Sequence, residues 1–290
     1  MNFLLILWLE GAEQIMKNPV LKYKDGTDSQ NPDLKNYIIL LQNYFPELNK
    51  TGEFDKPTLE TVKNFQKNHN LVDDGIVGER TWEKLNEKYL TDMKEGSYKI
   101  PGFRGDIVWI HRLEGHCGKV YWPGGNSGIT FDPGVDIGYF DITLFKRMYS
   151  KYLTADQMAA AINGCGLKAD KAKAYLESNS LLSSISISRE ASELILPIVA
   201  TPYWNKICSR FPVLCSDSTP SSIQTVFLSL AYNRGPDNKD LSILKLPLEE
   251  SDWNLVADLI SSMQQDHKIP EIRKRRRMEA DLIRNELVSV

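Results

Sequence analysis

Residues 108–139 read VWIHRLEGHCGKVYWPGGNSGITFDPGVDIGY. Glycine and proline repeatedly interrupt the apolar runs here, while most of the chain around this stretch carries apolar residues at helical intervals. Two short β-prone runs, Val120-Tyr121-Trp122 and Ser127 to Asp136, flank a turn at Pro123-Gly124-Gly125-Asn126. Such punctuation predicts a small hairpin or sheet set between helices. The helix before it bears Trp109, Ile110 and Leu113 and ends at Glu114-Gly115. The expected fold is therefore mainly α, with a small β-sheet bracketed by two carboxylates, Glu114 and Asp136.

At 290 residues, with 42% hydrophobic and 25% charged side chains, the chain has the length of about two domains and the composition to bury their cores. The net charge of −3 steers it toward no polyanion, so no nucleic-acid partner is expected. Four cysteines, Cys117, Cys165, Cys208 and Cys215, form no CxxC pair and no zinc-finger spacing. Buried free thiols are the expectation, although Cys208 and Cys215 flank a proline-containing loop and could bridge in an oxidising compartment. The apolar run at 3–9 is too short to span a bilayer. No Lys or Arg precedes it, and Glu10 follows where a cleavable signal would carry small neutral residues. Neither a cleaved signal nor stable membrane insertion is expected, and Met16 is an alternative start.

Residues 20–90 read as a small helical unit. Leu34, Tyr37, Ile38, Leu41 and Phe45 make one apolar stripe, which Pro46 should end. After a turn at 49–52, Asp55 precedes Lys56-Pro57 as an N-cap before a proline in the first turn. Leu59, Val62, Phe65 and Gln66 continue that helix until Asn70. Asp73-Asp74-Gly75 is a turn, and Thr81, Trp82 and Leu85 start a third helix. No internal repeat is visible. The string from Phe54 to Leu85 resembles the three-helix peptidoglycan-binding domain. Its carriers are Phe54, Asp55, Thr58, Val62, Phe65, Gln66, Asp74, Gly75, Val77, Gly78, Thr81, Trp82 and Leu85, with Leu41-Gln42 matching the family's first helix. The resemblance implies bacterial peptidoglycan as partner. Residues 91–105, rich in glycine and without periodicity, read as a linker.

Glycoside hydrolysis needs an acid to protonate the leaving oxygen and a carboxylate to activate water or stabilise developing positive charge. A Glu at a helix end against an apolar wall can hold its proton, while an Asp on a polar sheet edge stays ionised. On spacing alone, Glu114 could equally be a helix terminus and Asp136 a turn residue. The segment also resembles the catalytic core of phage-type lysozymes (the glycoside hydrolase family 24 group), most closely the branch typified by the bacteriocin pesticin. Glu114-Gly115, Tyr121 and Thr130-Phe131 correspond to the family's Glu-Gly, Tyr and sheet Thr. Ser127-Gly128-Ile129-Thr130, with Asp136 six residues beyond Thr130, corresponds to the pesticin-like turn and its Asp.

That resemblance implies Glu114 as the catalytic acid, with Thr130 and Asp136 holding the attacking water. It departs at Phe131-Asp132-Pro133, where the family has an apolar residue and then small ones, so Asp132 competes with Asp136. The segment 227–235 (FLSLAYNRG) resembles the family's cleft-lining helix, with Asn233 its polar exception. The segment 273–283 (RKRRRMEADLI) resembles a helix from which one arginine approaches the catalytic Glu. Arg275, Arg276 and Arg277 are candidates, and Glu279 favours Arg276 or Arg277. The whole resemblance implies a modular endolysin: a binding domain over 20–90, a linker over 91–105 and an α+β lysozyme-like domain over 106–290.

No cofactor and no metal are expected. His111 and His116 flank Glu114, but their five-residue spacing suits no single helical face, and the order differs from HExxH. Ser127 is not in a Gly-x-Ser-x-Gly elbow, and Cys117 beside His116 cannot face it on a helix. The implied activity is hydrolysis of the β-1,4 bond between N-acetylmuramic acid and N-acetylglucosamine by a monomer acting on the bacterial wall, made in the host cytoplasm. Lytic transglycosylase and non-catalytic wall-binding readings stand beside it, as does a secreted antibacterial effector.

Overall fold

The computed structural model describes residues 19–27, 32–45, 47–85, 87, 98–140 and 142–288. The apolar run at 3–9, Met16, Pro46 and linker positions 91–97 lie outside the described residues. The chain forms two compact units, one built chiefly on Val108–Val199, the other joining Lys17–Tyr89, Lys99–Ile107 and Ala200–Val290. Among the described residues it is mostly helical with one two-stranded sheet.

Within the second of these units, α1 (Pro32–Asn43), α2 (Lys56–Asn68) and α3 (79–85) enclose their own core of Leu21, Ile38, Leu41, Phe54, Val62, Val77 and Trp82. The Asp55 carboxylate caps α2, accepting the Thr58 N–H at 3.0 Å with Pro57 in the first turn. Asn70, with φ +55°, lies just past the end of α2. A repeat invisible in the sequence organises the buried polar groups. Gln42 Oε1 accepts the Gly52 N–H at 3.0 Å, while its Nε2 donates to the Glu53 carbonyl and the Thr51 and Thr58 hydroxyls. Gln66 repeats the pattern: Oε1 accepts the Gly75 N–H at 2.8 Å, and Nε2 donates to Asp74, the Ile76 carbonyl and the Thr81 hydroxyl. Each glutamine thus closes one loop onto the next helix and leaves no buried amide group unpaired. Gly75 sits at φ +75°, and a Cβ there would come within 2.3 Å of Leu59.

In the unit built on 108–199, α4 (Ile107–Glu114) leads into β1 (Thr130–Phe131) and β2 (Val135–Asp136). Helices α5 (Ile142–Tyr149), α6 (Ala155–Gly164), α7 (Ala169–Ser178), α8 (Ser180–Ser183) and α9 (Arg189–Arg210) follow. A Thr154–Gln157 capping box starts α6. Residues of α9 beyond Val199 belong to the other unit. There they accompany α10 (Ser221–Arg234), α11 (Lys245–Glu249), α12 (Trp253–Ser262) and α13 (Pro270–Val288). Helix α10 is buried from Ser222 to Tyr232, and α12 packs along α13.

Residues 98–105, expected as the end of a linker, are anchored. Ile100 is buried, the Trp204 indole donates to the Pro101 carbonyl at 3.1 Å, and the Arg104 N–H donates to Gln224 Oε1 at 2.6 Å. All four cysteines are free thiols. Burial, then the neighbouring Cys215, holds the Cys208 thiol well above its usual pKa. Among the described residues, no helix is long and apolar enough to cross a membrane.

Candidate active site

The site is built on the sheet predicted from residues 120–136. β1 and β2 are antiparallel, with Thr130 opposite Asp136 and Phe131 opposite Val135. Tyr121 bridges to the other edge of Thr130, its N–H donating to the Thr130 carbonyl at 3.0 Å and its carbonyl accepting the Thr130 N–H at 2.8 Å. Directly opposed residues share a face. Thr130 therefore stands between Tyr121 and Asp136 on one side of the sheet. Phe131 takes the other side, edge-on to Phe145 at 4.9 Å and against Tyr149 at 5.4 Å. This alternation fixes which side carries the polar groups.

Asp136 is half-buried, and its carboxylate accepts the Gly128 N–H at 2.9 Å and the Gly138 N–H at 2.8 Å. Desolvation raises its pKa above the ordinary 3.8, outweighing the two backbone donors and Lys168, which act to lower it. Both glycines are required by proximity. A Cβ on Gly128 would meet Asp136 Oδ1 at 2.3 Å and Gly138 Cα at 2.5 Å, and one on Gly138 would meet the Leu167 carbonyl oxygen at 2.8 Å. Their cradling role was missed in the sequence, where Gly128 counted only as part of a motif. Thr130 Oγ1 is buried without a hydrogen-bond partner in the protein.

Glu114 is the last residue of α4 and is half-buried. Gly115 follows at φ +77°, and its N–H closes the helix on the His111 carbonyl at 3.1 Å. Asp132 lies in quite different surroundings from Asp136. It is buried, Oδ2 accepts from His116 Nδ1 at 2.7 Å, Oδ1 accepts the Cys117 N–H at 3.1 Å, and its carbonyl accepts the Tyr149 hydroxyl at 2.8 Å. The hairpin loop is thus tied to the residues just beyond Glu114.

Helical spacing does not keep His111 and His116 apart. Because α4 stops at Glu114 and Gly115 turns the chain, His116 is off the helix. Its ring centroid is 6.3 Å from that of His111. His111, His116 and Asp132 offer ligand atoms all within 4.8 Å of one another, a grouping that was not expected. Burial lowers the His111 pKa below 6.5 against the raising effect of Glu193 and Asp132.

The remaining candidates lie in the other unit. Arg276 on α13 is buried and donates to Asn233 Oδ1 on α10 at 3.1 Å, so these two residues do meet. Arg275 and Arg276 both reach Glu279. Arg277 is exposed and donates to Gln265 at 3.1 Å.

Residues 31–85 match the family model of the peptidoglycan binding domain. This part of the chain is a peptidoglycan-binding module, and it associates the protein with the bacterial cell wall. No curated protein matches the chain.

Proposed function

We propose that the chain is a muramidase, an endolysin that hydrolyses the β-1,4 bond between N-acetylmuramic acid and N-acetylglucosamine. Glu114 is its general acid. The observation that carries this reading is the pairing of Thr130 with Asp136 across the sheet that follows the Glu114 helix end. A carboxylate and an unpaired buried hydroxyl on one face supply the two hydrogen bonds that would hold a water for attack on the sugar. The wall-binding module raises the local substrate concentration without adding a catalytic contact. Such an enzyme acts on the wall as a monomer, is made in the host cytoplasm and needs no cofactor for these steps.

Digestion of purified peptidoglycan followed by mass spectrometry of the released fragments tests the reading. Reducing N-acetylmuramic acid ends are expected. Products ending in 1,6-anhydro sugars would instead identify a lytic transglycosylase, and no release at all would leave a wall-binding protein.

Asp136 must be ionised to accept a proton from water. Its carboxyl titrates above 3.8, so protonation, and loss of activity, begins at higher pH than for an ordinary Asp. The acid limb of the pH–activity profile is expected above pH 3.8. Asp136→Asn should remove that limb and lower turnover on the order of a hundredfold. Asp132→Asn should keep the limb while destabilising the fold by about 1–3 kcal/mol through the lost His116 and Cys117 contacts. The reverse pattern would hand the catalytic role to Asp132.

A further inference from the structure

We propose that His111, His116 and Asp132 form a site for one divalent transition-metal ion, with zinc the best match to its donors. The ion would pin the segment following Glu114 to the hairpin loop. Two imidazoles and a carboxylate are a donor set that zinc takes readily, leaving a fourth position for water. The three ligand atoms lie within 4.8 Å of one another. Metal–donor bonds of about 2.0–2.2 Å place tetrahedral donors roughly 3.4 Å apart, so the site closes by little more than an ångström. His116 sits on the turn after Gly115 with its side chain 17% exposed, the member best able to make that movement.

A second observation points to a ligand. His111 is 1% exposed. Its Nε2 is engaged by the Ser192 hydroxyl at 2.8 Å, which leaves Nδ1 buried with no hydrogen-bond partner. The nearest acid, Glu193, is 3.7 Å from that nitrogen. A core histidine with no other task would not be expected to leave a ring nitrogen orphaned. Outer contacts of the kind that orient metal ligands are in place: Ser192 on Nε2 of His111 and the Cys117 N–H on Asp132 Oδ1.

Binding is a ligand exchange. Water leaves the hydrated ion, the ring proton of His116 passes from Nδ1 to Nε2 by way of solvent, and metal–nitrogen and metal–oxygen bonds replace the Nδ1–H bond and its hydrogen bond. No electron changes hands. The site requires nothing of the proposed hydrolysis and stands or falls separately from it.

The test uses the full chain, stripped with chelator and titrated with ZnCl2 by calorimetry in two buffers of different ionisation enthalpy. Co2+ absorption provides a parallel reading of the ligands. One ion per chain and visible ligand-field bands from Co2+ are expected. His116→Gln and Asp132→Asn should each weaken zinc binding by more than about a hundredfold, beyond the loss that outer-sphere changes cause. His267→Gln should bind as the parent does. Absence of binding by the parent protein, or equal affinity in folded His116→Gln, overturns the site and leaves His116–Asp132 a hydrogen-bonded clamp. If Asp132→Asn fails to fold, the His116 variant decides alone.

Discussion

Glu114→Gln should lower the rate of reducing-end release from peptidoglycan by about a hundredfold or more, the usual worth of a general acid. Binding to intact wall should stay unchanged. The amide keeps the size of the carboxyl and its capacity to accept hydrogen bonds, but has no acidic proton to give the leaving oxygen. Glu114 ends α4, where removing a negative charge relieves its opposition to the helix dipole. Wall association resides in residues 31–85, which have a separate hydrophobic cluster. The measurement therefore pairs digestion of purified peptidoglycan with a pull-down on the same material. Unchanged digestion by Glu114→Gln removes it as the acid. Loss of both digestion and binding points to a folding defect, which the thermal transition would reveal.

Much of the wall-binding module is legible because each signal is local. The Asp55 cap, Pro57 and the apolar spacing of Val62, Trp82 and Leu85 act within a helix turn or two. Its internal repeat was not legible. The glutamine–glycine–threonine offsets are 10 and 16 residues from Gln42 but 9 and 15 from Gln66. One residue of slippage hides a pattern carried by hydrogen bonds rather than by residue identity. A sheet followed from turn chemistry and short β-prone runs, but both of its strands fall inside the run 127–136 read as one, with the turn at 132–134, and that register brings Thr130 and Asp136 together. The tie between His116 and Asp132 could not be read in the same way, because it spans 16 residues and depends on Gly115 ending the helix. Helical spacing did contain the answer for the basic run. Residues three and four before Glu279 share its face, and the residue two before does not. Arg276 and Arg275 accordingly reach Glu279, while Arg277 turns to solvent.

That face yields the second large effect. Glu279→Ala is expected to destabilise the protein by about 3–5 kcal/mol, the cost of breaking a buried ion pair by removing one partner. Glu279 is fully buried. Its Oε1 accepts the Ser229 hydroxyl at 2.6 Å, Arg275 Nε at 3.2 Å and Arg276 Nη2 at 3.2 Å. Arg276 Nε lies 3.1 Å from Oε2 but lacks the alignment of a hydrogen bond, so that contact is Coulombic. Arg275 also donates to the Ser229 hydroxyl at 2.9 Å, and Arg276 to Asn233. One carboxylate thus compensates two guanidinium groups that bind α13 to α10. Truncating it removes the carboxylate that both guanidinium groups share, and alanine leaves a void as well. Salt screens buried pairs weakly, so the deficit should persist in high salt. Arg277→Ala, on the exposed face, should change stability by no more than about 0.5 kcal/mol. Urea unfolding of both variants at two salt concentrations makes the comparison. A loss below about 1 kcal/mol for Glu279→Ala would mean that water reaches the cluster and that the ion pairs do not hold these helices together.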